Sequence, residues 1–487
     1  MRQRSVMHVV LAFTLSAGVA SGAPPAHAAP PGFDTSAPAA AVPLASGVKI
    51  DPLLTAGDVI GGFQATGVFD GIGFYRSSPT RVELLVDHEL ANKTRSPNAT
   101  DNFDSRLTHL QLTNNARVAS GDYVLNGNEG FVWFCSGNLT VLDGTPWFFT
   151  GEEDQDHFSP RGGTTIAVNA SDRSSYRVLN HFGFFAHEQE LPVTGLDRAA
   201  FVLPEDNPGG LLAGTTIPNI SQLYGYTAAD WSGALDGTGQ LGVWVPDGTF
   251  ADGNASTNDI HKGETLNGHF EPLDQATDNA NASALEQAAQ AKGAFDFVRL
   301  EDAVRSRTEP GVVYFSDTGR KGRETVRGRV YKLALNPQDP TQAQLSVVLD
   351  GDAGDPIINP DNLEATSKAL VIQEDRNSEH RFVAGTSGSL LKPGESPYSL
   401  MQVYDLKTQQ LRVVARPDTA PSLIAARGQG DWETSGLTDA SALYGRGWFF
   451  FDVQMHHTTV GQPDSTLTPN STTGESGQLA RIFIPGT

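Results

Sequence analysis

The stretch Phe149-Thr150-Gly151-Glu152-Glu153 passes from an apolar strand into an acidic tip, and its recurrence decides the fold. The same shape returns in Leu85-Val86-Asp87-His88-Glu89, Tyr314-Phe315-Ser316-Asp317 and Val371-Ile372-Gln373-Glu374-Asp375. Each run has strand length and β-branched or aromatic content, and each is followed by a turn. The repeat is loose, not strict. Many four-stranded units closed into a ring produce such a pattern, which predicts an all-β fold of the β-propeller type. A propeller gathers strand ends from several blades at one mouth of a central channel. Carboxylates distant in sequence can meet there.

Working outward, further apolar runs between Gly, Asp, Asn and Pro fit the same scheme, among them Leu241 to Val245, Val330 to Leu335 and Trp448 to Val453. Leu400 to Tyr404 and Leu411 to Ala415 predict a hairpin joined through Asp405-Leu406-Lys407-Thr408. The 51 glycines and 29 prolines suit a turn-rich chain. Ala282 to Lys292 departs from the pattern: it is Ala-rich and stops at Gly293, which predicts a short helix. Asp252 to Asn281 is polar and without clear period, so it reads as an excursion from the scaffold and a candidate lid. A single propeller domain is expected over residues 49–487, with this polar insertion around 252–293.

Arg2 and Arg4, the mostly apolar run Val6 to Val19, and Ala26-His27-Ala28 predict a signal peptide over residues 1–28, cleaved near Ala28. The apolar run falls short of the roughly 20 residues that a membrane span needs. An Ala- and Pro-rich flexible leader is expected over residues 29–48. The chain therefore reads as secreted or periplasmic, without membrane insertion.

There are 34 Lys and Arg against 56 Asp and Glu, a formal net charge of −22. Nothing concentrates enough positive charge to displace counterions from phosphates, which excludes nucleic acid as a partner. An anionic membrane surface is excluded for the same reason. Surplus carboxylate suits calcium, which takes oxygen ligands, although solubility alone accounts for much of it. The one cysteine, Cys135, stands in Phe134-Cys135-Ser136-Gly137-Asn138. In an oxidising compartment it has no partner for an intramolecular disulfide. It is either buried and inert or held by a metal, and thiolate beside carboxylates is a ligand pattern for iron or zinc.

Five stretches carry candidate chemistry: Asp87-His88-Glu89; Cys135-Ser136-Gly137 with Glu152-Glu153; His187-Glu188-Gln189-Glu190; Arg299-Leu300-Glu301-Asp302; and Asn359-Pro360-Asp361-Asn362-Leu363 with Gln373-Glu374-Asp375. Each alone has a plain structural reading. Glu152-Glu153 reads as a solvated turn, Arg299 with Glu301 as a surface ion pair, and Asp361-Asn362 as a turn pair. His88 and His187 read as histidines that ligate nothing, and Phe182 to Phe185 as core.

In this order the stretches resemble the PhoX-type alkaline phosphatase family, over about Val82 to Gln454. Cys135-Ser136-Gly137, Thr145-Pro146-Trp147 and Glu152-Glu153 are similar to that family's Cys-Ala-Gly-Gly, Thr-Pro-Trp and Glu-Glu. His187-Glu188, Pro360-Asp361-Asn362-Leu363 and Asp87-His88-Glu89 resemble its His-Glu, Pro-Asp-Asn-Leu and Asn-His-Glu. Arg299-Leu300-Glu301-Asp302 resembles its Arg-Pro-Glu-Asp. The resemblance implies six blades and an exported phosphomonoesterase dependent on Ca2+ and Fe3+. It implies Cys135, Glu188 and Glu301 as iron ligands, and Glu153 as a catalytic ligand on the calcium side. Arg299 is implied as the catalytic arginine that binds substrate phosphate, and Asp361, Glu374 and Glu152 as further calcium ligands. The implied partner is a small-molecule phosphate ester, and the implied state a monomer. Three positions depart from the family: Leu300 replaces its proline, Asp87 replaces its asparagine, and Gln3 separates Arg2 from Arg4 where it has adjacent arginines. The residues themselves leave open a calcium-dependent propeller hydrolase of another ester, lactonase- or phytase-like. They also leave open a non-catalytic, calcium-stabilised binding propeller.

Overall fold

The computed structural model describes residues 32–90, 104–154, 159, 161–207, 220–248, 259–376, 390–418, 432–458 and 474–487. The expected signal peptide lies outside them. Among the described residues the strands form four sheets of four or five strands, one of nine, and a two-stranded ribbon. Each strand mostly pairs antiparallel with the next in sequence. Phe69–Ser78, Arg81–His88, Arg106–Thr113 and Val118–Leu125 cross one sheet in that order. Phe134–Leu142, Thr145–Glu152, Thr165–Asn169 and Tyr176–Val178 cross another. The expected hairpin is present as Met401–Asp405 and Leu411–Pro417.

The sheets stand in a propeller-like ring. Phe69–Ser78 packs beside Phe134–Leu142 on one side and Trp432–Asp439 on the other. Pro360–Ala365 likewise packs between Trp432–Asp439 and Leu300–Arg305, which in turn meets Leu191–Val193. Asn138 Nδ2 completes the circuit by donating to Gln189 Oε1 at 2.7 Å and to the Glu190 carbonyl. The last sheet is built from both ends of the chain: Lys49–Thr55 pairs with Gly474–Phe483, setting Ile50 opposite Ile482.

Apolar side chains fill the space between neighbouring sheets. Trp448–Thr458 shows how: Phe449, Phe451 and Val453 join one buried cluster, while Phe450 points into another. Both faces of the strand are covered, so Trp448 to Phe451 is apolar at four successive positions instead of alternating. Fully burying each such side chain is worth about 1.5–3 kcal/mol.

Two sequence expectations change. The leader is not loose throughout, because Ala41–Pro43 pairs with Ala415 to Pro417 as an extra edge strand. The polar excursion contains a strand, Thr265–Pro272, bonded between Gln240–Pro246 and Gln342–Asp350. Its polar residues are tolerated because its outer face is exposed, with Phe270 and Gly268 on the covered face. The helix Ala282–Lys292 forms as expected: the Asn281 side chain caps it by accepting from Ala284 N, and Gly293 ends it at φ +82°.

Candidate active site

Irregular pairing, not regular strand geometry, positions the candidate groups. In five innermost strands the register shifts so that three steps on that strand oppose two on its neighbour. Each shift inserts one extra residue, a β-bulge, which bends the strand and re-aims its side chains. The bulges carry Asp70-Gly71, Cys135-Ser136, Glu301-Asp302, Asp361-Asn362 and Gly436-Leu437. In four of them the first residue turns into a cavity of about 310 Å3 at the hub. The polar residues below form a hydrogen-bonded floor. Gln189 Nε2 donates to Ser136 Oγ at 2.8 Å and Asp302 Oδ1 at 2.7 Å, and Ser435 Oγ donates to Asn362 Oδ1 at 2.6 Å.

The cavity gathers nine carboxylates, from Asp70, Glu89, Glu153, Glu188, Asp206, Glu301, Asp361, Asp375 and Glu433, against two guanidiniums, from Arg299 and Arg320. Such an excess cannot stay ionised at close range without protons or cations. Burial, then mutual repulsion, accordingly raises the carboxyl pKa values of Glu153, Glu188 and Asp361 well above the ordinary range. Glu301 is pushed up to about 8, by burial first and Asp206 second. Burial, then Glu153, Glu89 and Glu188, pushes up the Cys135 thiol.

Arg299 is the exception. Burial opposes its charge, but Asp206, Glu301 and Glu153 hold its pKa well above the ordinary value. Its Nε donates to Asp206 Oδ1 at 2.9 Å and its Nη2 to Asp206 Oδ2, a bidentate grip. Glu301 lies 3.2 Å from Nη2 and Glu153 3.9 Å.

The donor set fits metal ions. Three groups offer ligand atoms within 4.8 Å of one another: Asp70, Glu89 and Cys135; Glu188, Glu301 and Asp361; and Asp361, Asp375 and Glu433. Glu188 Oε2 and Glu433 Oε2 are buried without a hydrogen-bond partner among the described residues. The sulfur-containing group suits iron or zinc, and the all-oxygen groups suit calcium.

Of the residues singled out from sequence, Cys135, Glu153, Glu188, Arg299, Glu301 and Asp361 all line this cavity. Glu152 and Glu374 do not, and their proposed ligation is corrected. Glu152 turns away into the sheet, where its oxygens accept from Val132 N, Ser159 Oγ and Thr164 N. Glu374 accepts from Ile358 N, Leu400 N, Gln402 Nε2 and Arg376. Both are buried brackets for backbone. His187 stacks on Phe185 at 3.7 Å and faces Glu190, so it belongs to the core. Leu300 is fully buried among Phe297, Val313 and Phe315, which accounts for an apolar residue there. Asp87 is fully buried behind the cavity; the Thr150 hydroxyl and the Gly71 N–H lean toward it, without a well-formed hydrogen bond among the described residues.

Asp70, Asp206, Arg320 and Glu433 were not singled out. Asp206 had a readable signal: Phe201 to Pro204 runs into Glu205-Asp206, the same strand-to-acid tip as elsewhere.

No protein-family model matches the chain, and no curated protein matches it by sequence. Among solved structures it is similar to Pseudomonas fluorescens PhoX in complex with vanadate, a transition state analogue. That likeness has a TM-score of 0.58 and 14% identity, covering 93% of this chain and 98% of that one. A luciferin-regenerating enzyme aligns at a TM-score of 0.37 and 9% identity, over 86% of this chain and 92% of its own. An α-L-arabinofuranosidase from Clostridium thermocellum aligns at 0.27 and 9%, over 71% and 93%. At these identities the likeness to PhoX bears on the fold alone, and the other two support no argument. No helix among the described residues is long and apolar enough to cross a membrane.

Proposed function

We propose that this chain is an exported, metal-dependent phosphomonoesterase on a six-bladed propeller. The observation that carries this reading is the meeting of Cys135, Glu153, Glu188, Glu301, Asp361 and Arg299 around one cavity, from positions spread over the chain. The nine-stranded sheet reads as two blades, Leu191–Val193 to Gln240–Pro246 and Leu300–Arg305 to Gln342–Asp350, joined through Thr265–Pro272. With the four separate sheets this makes six. The vanadate bound in the fold neighbour mimics a phosphoryl group in transfer, which supports a phosphate ester over other esters.

Cys135 with Asp70 and Glu89 would hold iron, in place of the expected trio of Cys135, Glu188 and Glu301, because Glu188 and Glu301 group with Asp361 instead; the groups around Asp361 would hold calcium. When bound, these ions supply positive charge that polarises the phosphorus–oxygen bonds and offsets charge developing in the transition state. Arg299 binds a non-bridging phosphate oxygen from the cavity wall, and Asp206 fixes the plane of its guanidinium. Glu153, 3.9 Å from Arg299, would take its negative charge only when a bound cation offsets the burial and repulsion that raise its carboxyl pKa, which suits a ligand on the calcium side. The polar floor of Ser136, Gln189 and Asp302 keeps the bulged strands in place beneath.

The test is elemental analysis of the purified protein together with hydrolysis of an aryl phosphate, with and without calcium. Iron and calcium in the protein and calcium-dependent turnover are expected. A protein that binds calcium and hydrolyses a lactone but no phosphate ester would replace this reading.

A further inference from the structure

One residue behind the Asp206 grip on Arg299 lies a second acidic group, outside the hub cavity. Glu205, Glu286 and Asp296 are exposed by only 1%, 2% and 5%. Glu205 follows the strand Ala199–Pro204, Glu286 sits on the inner face of the helix Ala282–Lys292, and Asp296 follows that helix. They are close enough to act on one another: after burial, Glu286 is the largest influence on Glu205, and Asp296 adds to that on Glu286. Protein donors satisfy part of the group. Gln290 Nε2 donates to Glu286 Oε1 at 2.6 Å, Gln222 N to Glu205 Oε2 at 2.9 Å, and Gln222 Nε2 to Asp296 Oδ1 at 3.3 Å.

The remainder points to a ligand. Gln222 Oε1 and the Tyr224 hydroxyl are buried with no hydrogen-bond partner among the described residues, and Glu286 Oε2 lacks a well-formed one although the Gln222 side chain and the Ile220 N–H lean toward that carboxylate. Gln222 and Tyr224 have no exposed surface at all, and the Tyr224 phenol feels the charges of both Glu205 and Glu286. No lysine or arginine pairs with Glu286 among the described residues. Unmet buried oxygens of this kind are expensive unless something binds them.

We propose that this pocket is a separate site for one hard divalent cation of the calcium type, with Glu205, Glu286 and the Gln222 carbonyl oxygen as side-chain ligands. Calcium takes about six to eight oxygens and accepts irregular geometry, which suits two carboxylates, an amide and a phenol from different elements. The cation pins the helix Ala282–Lys292 to the sheet and fixes the strand end that carries Asp206. The alternative is a proton shared between Glu205 and Glu286, and it predicts the opposite result.

The experiment compares calcium-loaded wild type with Glu286→Gln by elemental analysis and by thermal unfolding with and without chelator. Glu286→Gln should hold one calcium fewer per chain, with iron unchanged, and should lose part of the Tm gain that calcium gives. Equal calcium content, with an unchanged or higher Tm in chelator, would overturn the site, because a glutamine satisfies a shared-proton partner. Gln222→Ala gives a second measurement should the first variant fold poorly. It should weaken the same calcium by about tenfold or more, and an unchanged affinity counts against the site. Cys135→Ser separates the two centres: it should lose iron and keep this calcium, whether or not the hub turns over phosphate.

Discussion

Replacing Arg299 by alanine removes the cation that the hub appoints to the substrate, and the structure sets the size of the effect. The guanidinium is 13% exposed, gripped by Asp206 and flanked by Glu301 at 3.2 Å. A hydrogen bond from such a charged donor to a phosphate oxygen is worth about 1.5–3 kcal/mol. Its loss should raise the inhibition constant of inorganic phosphate roughly 10- to 150-fold, at about 1.4 kcal/mol per decade. Arg299→Lys keeps the charge without the fork and should fall between the two. Asp206→Asn leaves Arg299 in place but loosens its orientation, so kcat should fall with a smaller change in phosphate inhibition. The assay is competitive inhibition of aryl phosphate hydrolysis by phosphate and vanadate, with circular dichroism melts to exclude unfolding. An unchanged phosphate inhibition constant in folded Arg299→Ala would refute the assignment.

Cys135→Ser should abolish iron content and turnover while the propeller still folds; full activity in this variant would favour a calcium-only hydrolase. Glu152→Gln places an amide among three hydrogen-bond donors. It should lower stability by about 1–3 kcal/mol without changing the metal count, as read by denaturant melts and elemental analysis; lost metal would reinstate Glu152 as a ligand. Asp87→Asn removes a buried carboxylate that has only poorly formed donor contacts, from Thr150 and Gly71. It should leave stability in chelator unchanged or raise it by about 1–3 kcal/mol, and a clear loss would mean that Asp87 has an essential partner. His181 is kept neutral, its pKa lowered by burial from an ordinary 6.5 while Nε2 meets the Ala234 carbonyl at 2.8 Å. Below 6.5 the unfolded chain takes up a proton that the folded chain refuses. Its contribution is therefore full above that pH and is lost as pH falls from there through the lower folded-state pKa. His181→Gln should flatten the Tm profile on the acid side of pH 6.5, and an unaltered profile would reject this.

Much of the hub was legible because strand tips have a chemical signature. An apolar run ending in acids, as in Phe149 to Glu153, cannot bury its end unpaired, so each acid faces a channel, a cation or, like Glu152, a set of buried donors. Which of two adjacent acids faces inward was not legible. Glu152 and Glu153, or Glu374 and Asp375, differ by one residue, and a one-residue step sends a side chain to the other face. The bulges decide that step locally, and they depend on close approaches such as Gly71 against Gly137 and Gly436 against Asp70. No pattern of hydropathy records such contacts. Asp70 and Glu433 stand second in their strands, at the entry end instead of the tip, with no acid directly beside them, so nothing marked them in the sequence. Thr265–Pro272 stayed hidden for a different reason. A strand with one wet face and a glycine and a histidine at its centre has too few apolar positions to show period two.

The pairing of Lys49–Thr55 with Gly474–Phe483 means that the ring has a clasp made from opposite ends of the chain. Wall segments such as Asp70 and Glu433, from either side of that clasp, are held face to face only once it shuts. If the hub binds cations as proposed, their capture and clasp formation strengthen one another, since each favours the other's geometry. Peeling back the one outer strand Lys49–Thr55, which contributes no residue to the hub cavity, is then a way to loosen the proposed ion sites without touching their ligands.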